Sequence, residues 1–137
     1  MLAEIEEFLT HEERHRALFG DELGRRGIRR CRSFHLCGLG GLVLGFVTGL
    51  LGTRAIALTT EAVESVVLSH LEDQLRTLGS SDPVAAVVIG QIVADEQDHH
   101  DRSEAKIYRR GIGDRLLGAA VRASTEAVIW VGMRPVS

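Results

Sequence analysis

Two short motifs in this 137-residue chain place metal-binding groups at helical spacing. Glu12 and His15 form one Glu-x-x-His, and Glu96 and His99 form the other. On an α-helix, residues three apart project from nearly the same side, one turn apart. Each motif therefore aims a carboxylate oxygen and an imidazole nitrogen at one point. In carboxylate-bridged di-metal bundles, two such motifs on two helices, with glutamates from the others, hold and bridge a pair of ions. A single Glu-x-x-His is commonly a pair of solvated charges, so the flanking residues decide. Glu12 continues a stripe of Ile5, Phe8 and Leu9, and Leu18 and Phe19 flank His15. Val88, Ile89 and Ile92 lead into Glu96 and His99. Both pairs are expected on inward faces, where an uncompensated carboxylate is costly. A central cation would relieve that cost, since arginine is scarce on these faces. Glu64 lies in a stripe with Val67, Leu68 and Leu71, and Glu61, one turn earlier, is the alternative third carboxylate. By periodicity alone, a di-metal site and a structural polar core both remain open.

The elements that must position these groups read as helices throughout. Apolar positions at helical spacing predict a first amphipathic helix over about Leu2 to Arg25, ended with the help of Gly24 and Gly27. An arginine cluster follows: Arg25, Arg26, Arg29, Arg30 and Arg32. Leu36 to Thr53 then runs 18 residues without a charge and contains six glycines. That length stands at the edge of a membrane span. The same segment could lie in the membrane interface with its arginines at anionic head groups, or be a buried core helix. The interfacial mode is the preferred expectation. A third helix is expected from about Arg54 to Leu78. A turn at Gly79 to Pro83 follows, with Ser81 or Asp82 as N-cap and Pro83 at the first helical position. The fourth helix runs to about Arg110 and the fifth from about Asp114 to Met133. The two prolines, Pro83 and Pro135, both fall at expected helix boundaries.

The length suggests one domain over residues 1–137. A net charge of −3 and 4% aromatic residues give no footprint for nucleic acid. Cys31 and Cys37 form neither a CxxC nor half of a zinc site and are expected to be buried, reduced thiols. The glutamate-rich N-terminus has no signal-peptide pattern, so the chain reads as intracellular. His99 and His100 point about 100° apart, and only His99 shares a face with Glu96. His11 and His35 are expected to be exposed, and Tyr108 and Trp130 to serve packing or to anchor an interface.

Several stretches together resemble the demethoxyubiquinone hydroxylase (Coq7) family of ferritin-like di-iron proteins. They are Thr59 to Glu64 with His70 and Gln74-Leu75-Arg76, and Asp95 to Asp101. Glu12-x-x-His15 followed by Phe19, the glycine-rich Gly45 to Gly52 and Ala127 to Trp130 also match, in order over almost the whole chain. The resemblance implies an all-α, ferritin-like helical bundle with a membrane-facing apolar helix. It implies iron ligands at Glu12, His15, Glu64, Glu96 and His99, with His70 and Glu61 close by. It further implies two ferrous ions that activate O₂, and hydroxylation of a polyprenyl benzoquinone in ubiquinone biosynthesis. The expected place is the cytoplasmic side of the inner membrane, or the mitochondrial inner membrane in a eukaryote.

The chain departs from the family's pattern in three places. The family's first core helix, with its glutamate ligand, has no counterpart before Glu12, which leaves five of six expected ligands. Leu71 stands where many members carry an aromatic hydroxyl, and Glu126 where they tend to be neutral or basic. A truncated sequence, a partner chain or second copy supplying the missing ligand, and a degenerate, non-catalytic quinone- or lipid-binding member are the competing expectations.

Overall fold

Few helix breakers and 3.6-residue periodicity leave the backbone one economical way to satisfy its amides, and the computed structural model follows it. It describes residues 2–134, so Pro135 lies outside the described residues. Among those residues there are five helices and no strand: α1 (Leu2–Arg25), α2 (Phe34–Leu51), α3 (Thr53–Leu78), α4 (Pro83–Glu104) and α5 (Ile112–Met133). The fold is all-α, as expected. The main boundary correction is the segment between α4 and α5. Helix α4 stops at Glu104, and residues 105–111 form turns and irregular chain that hold Tyr108 almost fully exposed.

Local chemistry explains the ends. Gly27 sits at φ 64°, and its amide and that of Ile28 donate to the carbonyls of Gly24 (3.1 Å) and Leu23 (2.9 Å). This is a Schellman cap, in which a left-handed glycine lets orphan carbonyls find donors. Asp82 caps α4 by accepting the Ala85 amide at 3.1 Å, with Pro83 at the first helical position. Asp114, in the first turn of α5, accepts the Gly111 amide at 2.8 Å. Only Gly52, at φ 95°, separates α2 from α3, a conformation that favours glycine.

The chain divides into two compact units. The first comprises Met1–Arg30 and Val67–His99, that is α1, the later part of α3 and most of α4. Its core is Leu71, Ile89 and Ile92, with Leu18, Val67, Leu75, Leu78, Val88 and Val93 packed around them. The stripe on α1 is only partly covered, since Ile5, Leu9 and Phe19 are exposed. The buried residues of α1 are instead His15 and Glu22. Glu22 accepts from Arg25 and Arg26, and Arg26 also pairs with Asp82, so two of the five clustered arginines are paired within this unit.

The second unit comprises Cys31–Val66 and His100–Ser137. Here the early part of α3 is buried through Ala55, Ala57, Leu58, Ala62 and Val66. Helix α5 approaches α2 closely enough that a methyl group on Gly132 would run into Ser33 Oγ. Of α2 itself only Thr48 is buried; Leu39, Leu42, Val43, Phe46, Leu50 and Leu51 are exposed, which excludes a buried core helix. Both α2 and α5 are long and apolar enough, by length and composition, to cross a membrane. Cys31 and Cys37 are exposed free thiols, contrary to the expectation of burial. Ser33 takes the buried place at the start of α2, and both sulfurs lie against its hydroxyl, at 3.5 and 3.8 Å.

Candidate metal centre

Within the first unit, α1 and α4 bring the two Glu-x-x-His motifs together. His15 and His99 are 3% and 1% exposed, Glu96 is 4% exposed, and Glu12 is the least covered of the four. Ligand atoms of Glu12, Glu96 and His99 lie within 4.8 Å of one another. His15 faces the same carboxylate, with Nδ1 3.1 Å from Glu96 Oε1, and His99 Nδ1 lies 3.5 Å from Glu96 Oε2. Each oxygen of Glu96 is thus paired with one imidazole, the arrangement of a carboxylate placed between two metal positions. Donors on opposite sides of one ion lie roughly 4 Å apart at ligand distances of about 2 Å, so the cluster has the right scale.

The electrostatics fit a cation. Burial, reinforced by the Glu96 carboxylate, raises the Glu12 carboxyl above its ordinary range, although His15, His99 and Arg16 pull the other way. His15 Nδ1 is buried and makes no hydrogen bond despite its nearness to Glu96. Its other nitrogen, Nε2, donates to Asp95 Oδ2 at 2.9 Å, and Arg14 donates to the same oxygen at 2.8 Å. Burial works to raise the Asp95 carboxyl, but the His15 hydrogen bond and the charges of Arg14, His11 and His15 outweigh it and hold the carboxyl low. Asp95 therefore stays ionised, fixes the His15 tautomer, and leaves Nδ1 as a lone-pair donor. Two imidazoles and two carboxylates are a donor set that suits divalent iron, manganese or zinc.

Within the first unit the structure assembles Glu12, His15, Glu96 and His99. Glu64 is buried on α3 within the second unit. Glu61, the alternative carboxylate, is also buried there but already compensated. Arg110 Nη1 lies 3.1 Å away, with Arg122 at 3.9 Å and His100 at 3.8 Å. Arg110 follows α4, Arg122 lies on α5 and His100 on α4, partners beyond the reach of a helical-periodicity argument. His70 is half-buried on the part of α3 in the first unit. His35 is exposed as expected. His11 is not: it is half-buried and bonded to His99, 3.0 Å between Nδ1 and Nε2. Neither His11 nor Asp95 stood out as a site residue in the sequence. The signal that could have found both is position, since each immediately precedes the glutamate of a motif.

A family model described as ubiquinone biosynthesis protein COQ7 matches residues 1–132. The chain belongs to the COQ7 family. It is 29% identical over 130 residues to a 3-demethoxyubiquinol 3-hydroxylase from Rhodospirillum rubrum, covering 95% of this chain and 61% of the relative. It is 29% and 27% identical to the proteins from Dictyostelium discoideum and Mus musculus named NADPH-dependent 3-demethoxyubiquinone 3-hydroxylase, mitochondrial. Both matches cover 95% of this chain and 61% and 62% of those relatives. The chain therefore spans about three-fifths of the length of the curated relatives it matches. No solved structure matches it.

Proposed function

We propose that this COQ7-family chain holds a di-iron centre and hydroxylates the ring of a polyprenyl benzoquinone in ubiquinone biosynthesis. The observation that carries the reading is the convergence of both motifs on Glu96, with one imidazole Nδ1 at each of its oxygens. Bound iron would supply the activation of O₂ that no side chain provides. Glu12, His15, Glu96 and His99 would hold it, and the family resemblance adds Glu64. Glu61, one turn from Glu64, is already neutralised by Arg110, which supports Glu64 as the ligand from α3.

The residues of this chain do the rest of the work. The Asp95–Arg14 pair keeps His15 oriented, and Phe8, 4.0 Å from the His99 ring centroid, shields that ring from water. The substrate's isoprenoid tail is apolar, and the exposed apolar faces of α2 and α5 would bring the chain to the membrane surface where such a tail resides. Arg29, Arg30 and Arg32, just before α2, are exposed where anionic head groups would meet them. The expected setting is peripheral association with the cytoplasmic side of the inner membrane, or with the mitochondrial inner membrane. The names of the Dictyostelium discoideum and Mus musculus relatives point to NADPH as the reductant.

The test is turnover by the iron-loaded chain on vesicles containing a demethoxyquinone, with a reductant and ¹⁸O₂. Appearance of the label in a new ring hydroxyl supports the reading. A folded, iron-loaded and vesicle-bound protein that leaves the quinone untouched would assign it to a non-catalytic role.

A further inference from the structure

His99 is 1% exposed, so water cannot satisfy its ring. Its Nδ1 faces Glu96 Oε2 at 3.5 Å, on the side where Glu12 and Glu96 gather. Its Nε2 points the other way and meets Nδ1 of His11 at 3.0 Å. The two rings are tilted by only 13°, with centroids 5.2 Å apart. That separation fits two rings meeting edge to edge along their nitrogen lone pairs, as in a hydrogen bond, rather than lying face to face. Phe8 lies against the His99 ring at a 31° tilt, which opposes a swing to another rotamer.

We propose that His11 is a positioning residue for His99. It accepts the Nε2–H of His99 on its own Nδ1 and so holds the tautomer whose Nδ1 can bind a metal ion. A neutral imidazole offers one nitrogen to a metal only when the proton sits on the other, and the partner of that proton sets the choice. The assignment rests on the metal-centre reading above and adds a symmetry to it. Asp95, the residue before Glu96, braces His15 of α1; His11, the residue before Glu12, braces His99 of α4. Each helix steadies the ligand of the other. The braces differ in kind: His15 leans on a carboxylate, His99 on a neutral imidazole. A carboxylate acceptor raises the basicity of its imidazole more than a neutral one does. The ion on the His15 side of Glu96 is therefore held more tightly than the ion on the His99 side, and the two load in that order.

The variants that test this are His11→Asn and His11→Leu. The Asn Oδ1 replaces Nδ1 as acceptor at the same distance from the backbone, whereas Leu fills the space without an acceptor. Cobalt(II) titration of the full chain, followed by the visible ligand-field bands, should show two steps. In His11→Leu the second step should weaken by about 10–100-fold, the range for loss of an outer-shell partner, with the first step unchanged. His11→Asn should stay within about threefold of wild type. Circular dichroism checks that both variants keep their helices. Independently of any variant, long-range ¹H–¹⁵N correlation on the zinc-loaded wild-type chain should find His99 protonated at Nε2. Zinc bound with His99 protonated at Nδ1, or cobalt steps indifferent to His11→Leu, would overturn the role of His11 while leaving the metal centre standing. No metal bound by the wild-type chain would remove the metal centre itself, and this role with it.

Discussion

Replacing Glu12 by glutamine should stabilise the metal-free protein while removing its capacity to be stabilised by metal. Glu12 and Glu96 present carboxylate oxygens within 4.8 Å of one another. Two like charges at that separation repel by on the order of 3 kcal/mol at an effective dielectric constant of about 20. His15, His99 and Arg16 offset part of this, so a net gain of about 1–2 kcal/mol is expected for Glu12→Gln near neutral pH. At about 3–4 °C per kcal/mol for a chain of this size, the melting temperature in EDTA should rise by roughly 3–8 °C. The pH dependence has a definite sign. A carboxyl raised in the folded state binds more protons there than in the unfolded chain, so its penalty grows as pH climbs from the ordinary carboxylate range through the raised value. The difference between variant and wild type should therefore shrink towards zero below about pH 4. Added cobalt(II) or iron(II) should reverse the order. A ligand at about 100 times its Kd contributes about 2.7 kcal/mol to the wild type and much less to the variant. Calorimetric melts with and without metal at several pH values make the measurement. A Glu12→Gln protein less stable than wild type in EDTA at neutral pH would refute the reasoning, because Glu12 would then be making a favourable interaction rather than enduring a repulsive one.

Three further outcomes follow from the packing and capping. Ile92 is 1% exposed in the core of the first unit, so Ile92→Ala should cost about 2–5 kcal/mol in denaturant melts. Gly132→Ala places a methyl against Ser33 and should cost about 1–3 kcal/mol, and Ser33→Ala in the same chain should restore part of the loss. The side-chain hydrogen bond from Arg26 and the Ala85 amide hold the Asp82 carboxyl down to about 2. A group lowered on folding contributes above its unfolded value and loses that contribution as pH falls through the folded one. Asp82→Ala should lower the melting temperature at neutral pH, with the difference disappearing between about pH 4 and pH 2.

Much of this was legible in the residues because helices advertise themselves through periodicity. The extent of α1, the Asp82-Pro83 start of α4 and the pairing of Glu12 with His15 and Glu96 with His99 all follow from spacings of three and four. What periodicity could not supply was the partner across a helix pair. Asp95 and His11 look like ordinary polar residues until α1 and α4 are side by side. The compensation of Glu61 depends on Arg110, 49 residues further along the chain. The exposure of α5 was likewise not legible from periodicity, since most of its large apolar side chains remain outside the core. The expected burial of the cysteines failed: both thiols are exposed, and the smaller hydroxyl of Ser33 holds the buried place beside Gly132.

The most direct test of the central claim is iron per polypeptide after anaerobic iron(II) loading and desalting. Two Glu-x-x-His motifs sharing Glu96 predict about two iron atoms per chain. A chain that retains its helices and keeps almost no iron would contradict the account, and the cluster around Glu96 would then be a polar core rather than a metal centre.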